Sequence, residues 1–238
     1  MVYLAAGTRR LEELQTDKQS VWDAFYRGYP SHQSQLLPWE KAFVDRFVSP
    51  RAEVLLIGCG SGRDLVPLVE RGCQVTGIDP SREGLAIAEQ LLRRRGLSAT
   101  LTPGFFENLD IAHTFDVVIF SYYCYGEMPM ACRRIAALTK AAALVKPGGH
   151  VVVSHATGIG RPRSILVRLG QIAGTLTRSD WRLEPGDFVS DSRQPSQSLS
   201  FTHEFEEGEL EREAAAASLR VVLRHVEDNT VVAVLTRP

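Results

Sequence analysis

The chain of 238 residues is 44% hydrophobic and 23% charged, the balance of one compact domain with a sizeable core, which excludes a disordered or fibrous chain. Its 27 Lys and Arg against 28 Asp and Glu leave a net charge of −1, so there is no overall positive field to hold a polyphosphate backbone, and nucleic acid is not an expected partner. The four cysteines, at 59, 73, 124 and 132, form no CxxC pair and have no histidine partners at zinc-ligand spacing, so no metal site is expected and the thiols read as reduced, cytoplasmic ones.

The first residues carry Arg9, Arg10, Glu12 and Glu13 and no apolar leader, and no apolar run approaches the ~18 residues of a membrane span. A cytoplasmic protein without stable membrane insertion is expected. Residues 1–50 read as two helices. One carries the stripe Leu11, Leu14, Val21 and Phe25, the other Phe43, Val44 and Phe47, and the turn-prone Gly28-Tyr29-Pro30-Ser31 separates them. From Glu53 onward short apolar runs at 54–57, 75–78, 99–101, 117–120 and 151–153 alternate with amphipathic segments near 63–71, 81–95 and 130–145. That alternation is the pattern of βαβ units on a parallel sheet.

A stretch of about 156–202, rich in Gly, Pro, Ser and Arg, reads as an irregular insertion. Within it Ile165, Leu169, Ile172 and Leu176 fall at helical spacing among Arg161, Arg163, Arg168, Arg178 and Arg182. This pattern suits a lid for an anionic substrate, a membrane-surface helix, or a solvated helix packed on the sheet edge. The six glutamates from Glu204 to Glu213 read as the exposed face and first turn of a following helix. Two β-rich runs, 219–226 and 230–235, end the chain with only Glu227-Asp228-Asn229 between them. So short a link cannot carry a parallel crossover, and the last strand is expected to run antiparallel.

The most informative stretch is Val54-Leu-Leu-Ile-Gly58-Cys59-Gly60-Ser-Gly62-Arg63-Asp64, a buried strand that runs into glycines and then a helix. Glycines there let a ligand approach the backbone closely. The second strand ends in Asp79, 19 residues after Gly60, where an acid can accept ribose hydroxyls. A helix cap before Pro80 and Ser81 is the other use of Asp79. A dinucleotide fingerprint would need a small residue where Arg63 stands, so a nucleoside ligand with an amino-acid tail fits better.

On the IGCGSG loop, the VTGIDPS second strand, the FDVVIFSYY fourth strand, the VKPGGHVVVS turn and the terminal hairpin, the chain resembles the class I S-adenosylmethionine-dependent methyltransferases from about Ala52 onward. The resemblance implies an α/β, Rossmann-like, seven-stranded, mostly parallel sheet with helices on both faces and an antiparallel C-terminal hairpin strand. It divides the chain into N-terminal helices (1–50) that cover the cofactor as a lid and a methyltransferase domain (51–238) with the insertion at 156–202. It implies S-adenosyl-L-methionine as cofactor, with Gly58, Cys59, Gly60 and Gly62 along its methionine portion, Asp79 on the ribose and Pro80 against the adenine. Ser121 would border the same cleft. The acid that often follows the third strand is replaced here by Phe105 and Phe106 after Gly104. Adenine recognition then falls to backbone groups or to a stacked ring.

The exit of the fourth strand places Tyr122, Tyr123 and Tyr125 where an acceptor would be read, either as an aromatic wall or as packing for the next helix. The Asn/Asp-Pro-Pro-aromatic sequence typical of nucleobase amino-methyltransferases is not there, which disfavours base amines. Tyr26, Tyr29 and Trp39, with Trp22, Phe25 and His32, form an aromatic N-terminal set suited to a substrate lid. His155, at the end of the fifth strand, and His203 are candidates for removing the acceptor's proton. His155 shares strand parity with Val151 and Val153, so it reaches the crevice only if the strand ends first. The expected function is methyl transfer to an oxygen, nitrogen or sulfur of a small molecule. The alternatives are a non-catalytic cofactor-binding partner protein, a thiol or thiopurine S-methyltransferase (on Leu37-Pro38-Trp39-Glu40) and, more distantly, an NAD-dependent oxidoreductase.

Overall fold

The computed structural model describes residues 1–28, 34–157, 164–191 and 198–238. The readings on Tyr29, His32, Arg161 and Arg163 lie outside those residues. In chain order the elements are α1 (Val2–Thr8), α2 (Leu11–Gly28), α3 (Pro38–Phe47), β1 (Glu53–Ile57), α4 (Leu65–Glu70), β2 (Gln74–Asp79), α5 (Arg82–Arg94), β3 (Thr100–Pro103) and β4 (Phe115–Phe120). They continue with α6 (Ala131–Leu144), β5 (Val145–Ala156), α7 (Ser164–Thr177), β6 (Asp187–Asp191), β7 (Leu199–His203), α8 (Glu209–Ala216), β8 (Arg220–Glu227) and β9 (Thr230–Thr236).

Seven strands form one sheet in the order β3-β2-β1-β4-β5-β9-β8. The first five strands are parallel, and β9 runs antiparallel between β5 and β8, as the two-residue link Asp228-Asn229 requires. Strand alternation sends successive side chains to opposite layers. Leu55, Ile57, Val118, Phe120, Val151 and Val153 pack under α6 and α8. Val54, Leu56, Val117, Ile119 and Val152 pack under α3, α4 and α5. Burial on both faces explains why these strands read as continuous apolar runs. The strand order reverses between β1 and β4, which opens a crevice at their C-terminal ends.

Three expectations need correction. The N-terminal segment holds three helices, because the chain breaks at Arg9-Arg10 and Asp180 Oδ1 accepts from Leu11 N at 2.8 Å to start α2 afresh. The insertion is not irregular throughout: it carries α7 and the β6–β7 hairpin, and α7 packs on α1 rather than on the sheet edge. Their backbones meet so closely that a Cβ on Gly170 would lie 2.6 Å from the Tyr3 carbonyl oxygen. Tyr3, Ala6, Leu14, Val167, Trp181 and Leu199 close a third apolar cluster there. Finally, Glu213 is buried, not exposed, because Arg134 on α6 has no exposed surface and takes Glu213 as its partner at 2.7 Å. A buried guanidinium needs such a carboxylate.

Candidate active site

The glycine loop is built from the backbone outward. Gly58 N and Cys59 N both donate to the Ile78 carbonyl, at 2.8 and 3.1 Å, which ties the end of β1 to the end of β2. Asp79 Oδ2 then accepts from Gly60 N at 2.8 Å and Oδ1 from Ser81 N at 2.8 Å. The helix cap falls to Ser81, whose Oγ accepts from Gly84 N at 3.0 Å, so Asp79 is left to face the loop. Burial pushes Asp79 up to about 6 against the pull of its two N–H donors. Each carboxylate oxygen keeps a second lone pair for a ligand hydroxyl. That pair of acceptors fits the hydroxyls of a ribose.

Gly58, Cys59, Ile78 and Asp79 line a cleft of about 370 Å³ that also takes in Pro80, Phe105, Ser121 and Tyr122, whereas Gly60 and Gly62 stand behind its lining. A volume of this size is in the range of small-molecule sites. Gly60 has φ +48°, and a Cβ there would lie 2.0 Å from Tyr26 Oη, so the ring of α2 lies directly over the loop. A Cβ on Gly84 would meet the same ring at 2.8 Å. Asp23 fixes this placement: its Oδ1 accepts from Ser81 Oγ at 2.6 Å, joining α2 to the start of α5. Cys59 turns its side chain against Gly77 in the α3–α5 layer. Phe106 backs the cleft as core, edge-on to Phe120 at 5.8 Å, while Phe105 is half-buried at the cleft wall.

A second cavity of about 390 Å³ adjoins the first, and seven residues line both. Leu14, Val21, Phe25, Leu199 and Phe201 give it an apolar lining drawn from α2 and β7. Val21 and Phe25 of the α2 stripe therefore face a cavity, while Leu11 and Leu14 also pack in the third apolar cluster. At the junction Glu127 pairs with Lys18 Nζ at 3.0 Å and accepts from Trp22 Nε1 at 3.2 Å. Burial opposes the charge on Lys18, but Glu127 outweighs it and raises the ammonium above its ordinary value. Sequence reasoning missed Lys18 and Glu127. The signal was the i, i+4, i+8 spacing of Lys18, Trp22 and Tyr26, which puts all three on one face of α2.

Arg63 bonds Glu40 on α3 with both nitrogens, at 2.5 and 2.6 Å, and lies 5.8 Å from the Tyr122 ring centre. Burial opposes its charge, and Glu40 more than restores it. Ser121 Oγ donates to Asp64 at 2.5 Å, and burial raises the Asp64 carboxyl. Tyr122 and Tyr123 follow β4 with φ of +27° and +51°, a strained turn that brings Tyr122 to the junction of the two cavities. Cys124 also borders the cleft, with its thiol held neutral by burial.

Other candidates lie elsewhere. Tyr123 bonds Thr230 through its hydroxyl. Tyr125 is fully buried and donates to Glu213 at 2.6 Å. Trp39 is core, stacked on Phe43. His155 follows Val151 and Val153 into the layer under α8, where its ring lies 4.4 Å from that of Phe205, and burial holds it neutral with a pKa near 4. His203 is buried between Asp187 at 2.7 Å and Glu209 at 2.9 Å. Neither histidine lines the cleft or the second cavity.

Residues 54–149 match the family described as a methyltransferase domain. Curated relatives include a ubiquinone biosynthesis O-methyltransferase of Vibrio parahaemolyticus, 33% identical over 104 residues (43% of this chain and 43% of that protein). One from a Bradyrhizobium species is 33% identical over 101 residues, 42% of this chain and 38% of that protein. The chain thus spans well under half the length of these relatives. Among solved structures, a SAM-dependent methyltransferase from Methanosarcina mazei superposes with a TM-score of 0.66 at 21% identity, covering 85% of this chain and 98% of that one. A glycopeptide N-methyltransferase complexed with S-adenosyl-L-methionine gives 0.58 at 18% identity, covering 83% and 85%. On the domain match and the strand order, residues 54–149 are a methyltransferase domain, and the chain has the fold of the SAM-dependent methyltransferases it superposes on.

Proposed function

We propose that the protein transfers the methyl group of S-adenosyl-L-methionine to an oxygen, nitrogen or sulfur atom of a small, largely apolar acceptor. The observation that carries this reading is the junction of two cavities, one floored by the glycine loop and Asp79, the other lined by apolar side chains. When bound, the cofactor supplies a methyl group already activated by its sulfonium. Asp79 holds the ribose, Gly58, Gly60 and Gly62 border the methionine portion, and Pro80 and Phe105 flank the adenine.

The chain's own part is to position and to exclude water. Helix α2 acts as the lid: Tyr26 closes the loop end, and Trp22 and Phe25 form part of the wall between the cavities. Tyr122 faces them from the end of β4. Glu127, held by Lys18 and Trp22, accepts a hydrogen bond from the acceptor's hydroxyl or amine and so orients its nucleophilic atom. Orientation of this kind supplies much of the acceleration of an in-line displacement. The net charge of −1 supports an acceptor other than nucleic acid.

Calorimetry with S-adenosyl-L-homocysteine, followed by transfer of a labelled methyl group to a panel of phenols, amines and thiols, tests the reading. One binding site and at least one labelled product are expected. Glu127→Gln should lower transfer by about 10- to 100-fold with little change in affinity for S-adenosyl-L-homocysteine. No binding of S-adenosyl-L-homocysteine would overturn the assignment of the cleft, and binding without any product would favour a partner protein.

A further inference from the structure

An amphipathic helix on a folded domain buries its apolar stripe and turns polar residues outward. Helix α7 does the reverse. Its inner face is made of Val167, Gly170 and Gly174, all buried, with Gly170 and Gly174 in close contact with α1. Its outer face is Ile165, Leu169, Ile172 and Leu176, with 73%, 43%, 58% and 79% of their surfaces exposed. Successive steps of four, three and four residues keep these side chains on one line, diametrically opposite the buried face. No acidic residue occurs from Ser164 to Ser179, while Arg168 flanks the line and Arg178 follows the last turn. Among the described residues neither arginine has an ion-pair partner. Asp180, the nearest acid in sequence, is engaged with the backbone of Leu11 at 2.8 Å.

We propose that this face of α7 docks on the surface of an anionic lipid bilayer. Four aliphatic side chains in a row, bordered by unpaired arginines and free of acids, match what an interfacial helix presents: an apolar face to the acyl boundary and cations to the headgroups. The fourteen residues of α7 span ~21 Å, short of the ~30 Å hydrocarbon core, so the helix lies in the plane of the membrane and does not cross it. No helix among the described residues is long and apolar enough to cross. A second copy of the chain is a poorer occupant on two counts. A strip about 21 Å long and about 10 Å wide offers ~200 Å², against the ~800 Å² per partner of a stable dimer. A two-fold pairing of α7 with itself would also bring arginines against arginines with no acid to offset them.

The test is flotation of the full chain with vesicles of phosphatidylcholine alone and with vesicles containing phosphatidylglycerol. The protein is expected to float with the phosphatidylglycerol vesicles at least ~10-fold more than with phosphatidylcholine alone. The double substitution Ile172→Glu with Leu176→Glu should reduce that binding by at least ~10-fold at an unchanged melting temperature, since both side chains already face solvent. Arg168→Glu should lower binding to the anionic vesicles alone. Protein that stays at the bottom of both gradients, or that floats equally with both kinds of vesicle, overturns the proposal. So does a dimer in sedimentation velocity that Ile172→Glu dissociates, which would assign the face to a second copy.

Discussion

Replacing Asp79 by Asn separates a ligand-holding carboxylate from one that merely braces the loop. In the folded protein Asp79 is buried and lifted from 3.8 to about 6 by that burial, against two backbone N–H donors. A carboxyl whose folded pKa lies above its unfolded value weakens the fold wherever it is ionised. A rise of about two units corresponds to about 3 kcal/mol at neutral pH, relieved as the pH falls from about 6 toward 3.8. Asn removes that penalty, but it turns an NH2 toward one of the two N–H groups, which costs about 1–3 kcal/mol. The two effects nearly cancel, and the variant should melt within about 6 °C of the wild type. Binding has no such compensation. Loss of charge-assisted hydrogen bonds to the ribose, about 1.5–3 kcal/mol, should weaken S-adenosyl-L-homocysteine by about 10- to 150-fold. Because the ionised form holds the ligand, wild-type affinity should drop below about pH 6 while that of the Asn variant stays flat. Calorimetry at about pH 7.5 and about pH 5, with melts alongside, reads all of this. An Asn variant with wild-type affinity at neutral pH refutes the ribose role; a collapse of the melting temperature refutes the cancellation and makes Asp79 a structural brace.

Three further outcomes follow from the same geometry. Burial disfavours charge on His203, but hydrogen bonds to Asp187 and Glu209 outweigh it and lift the imidazole to about 9. Its stabilisation is complete below the unfolded value of 6.5 and is lost as the pH rises through about 9. The wild-type melting temperature should fall across that window, His203→Gln should flatten the fall, and parallel profiles for the two would show that the pairing contributes nothing. Glu40→Gln leaves Arg63 without its bidentate carboxylate and should lower stability by about 3 kcal/mol, read as a reduced urea midpoint, whereas an unshifted midpoint would mean Asp64 suffices as a partner. In Gly60→Ala the new methyl lies 2.0 Å from Tyr26 Oη, so the Tyr26 ring must shift. Tyr26→Phe removes that atom but leaves a ring carbon at 2.9 Å, so the double variant should recover only part of the loss, with a coupling of about 0.5–1 kcal/mol, and strict additivity would place Tyr26 elsewhere.

What could be read along the chain was what lies close together along the chain. The strands could be located because β1, β4 and β5 are apolar on both faces, and the direction of β9 because two residues between strands leave no room for a crossover. The glycine loop and Asp79 could be read because they sit at consecutive strand ends, where Gly60 N donates to the Asp79 carboxylate. Lys18 and Glu127, by contrast, meet across 109 residues, and nothing local to either one announces the other. His155 shows how a period can be read correctly and still mislead. Its place at the end of β5 suits the crevice, but parity with Val151 and Val153 carries it under α8, because β5 continues through Ala156 before it ends.

The stripe on α2 shows a deeper limit. Leu14, Val21 and Phe25 at helical spacing establish which face of the helix avoids water, and an apolar face reads as core. Periodicity reports the polarity of what a helix faces, not whether the volume opposite is filled. A helix that roofs a ligand cavity and one that covers a packed sheet carry the same stripe, and they differ only in how far away the next layer stands. On α2 the distinguishing mark is the adjoining face, where Gln15, Lys18 and Trp22 bond Glu107 and Glu127 at the cleft wall, while Asp23 on the opposite face bonds Ser81 at the start of α5. A helix packed along its whole length on a sheet would have no use for such contacts, whereas α2 packs through Leu11 and Leu14 at one end and is held by polar contacts where Val21 and Phe25 stand over the cavity.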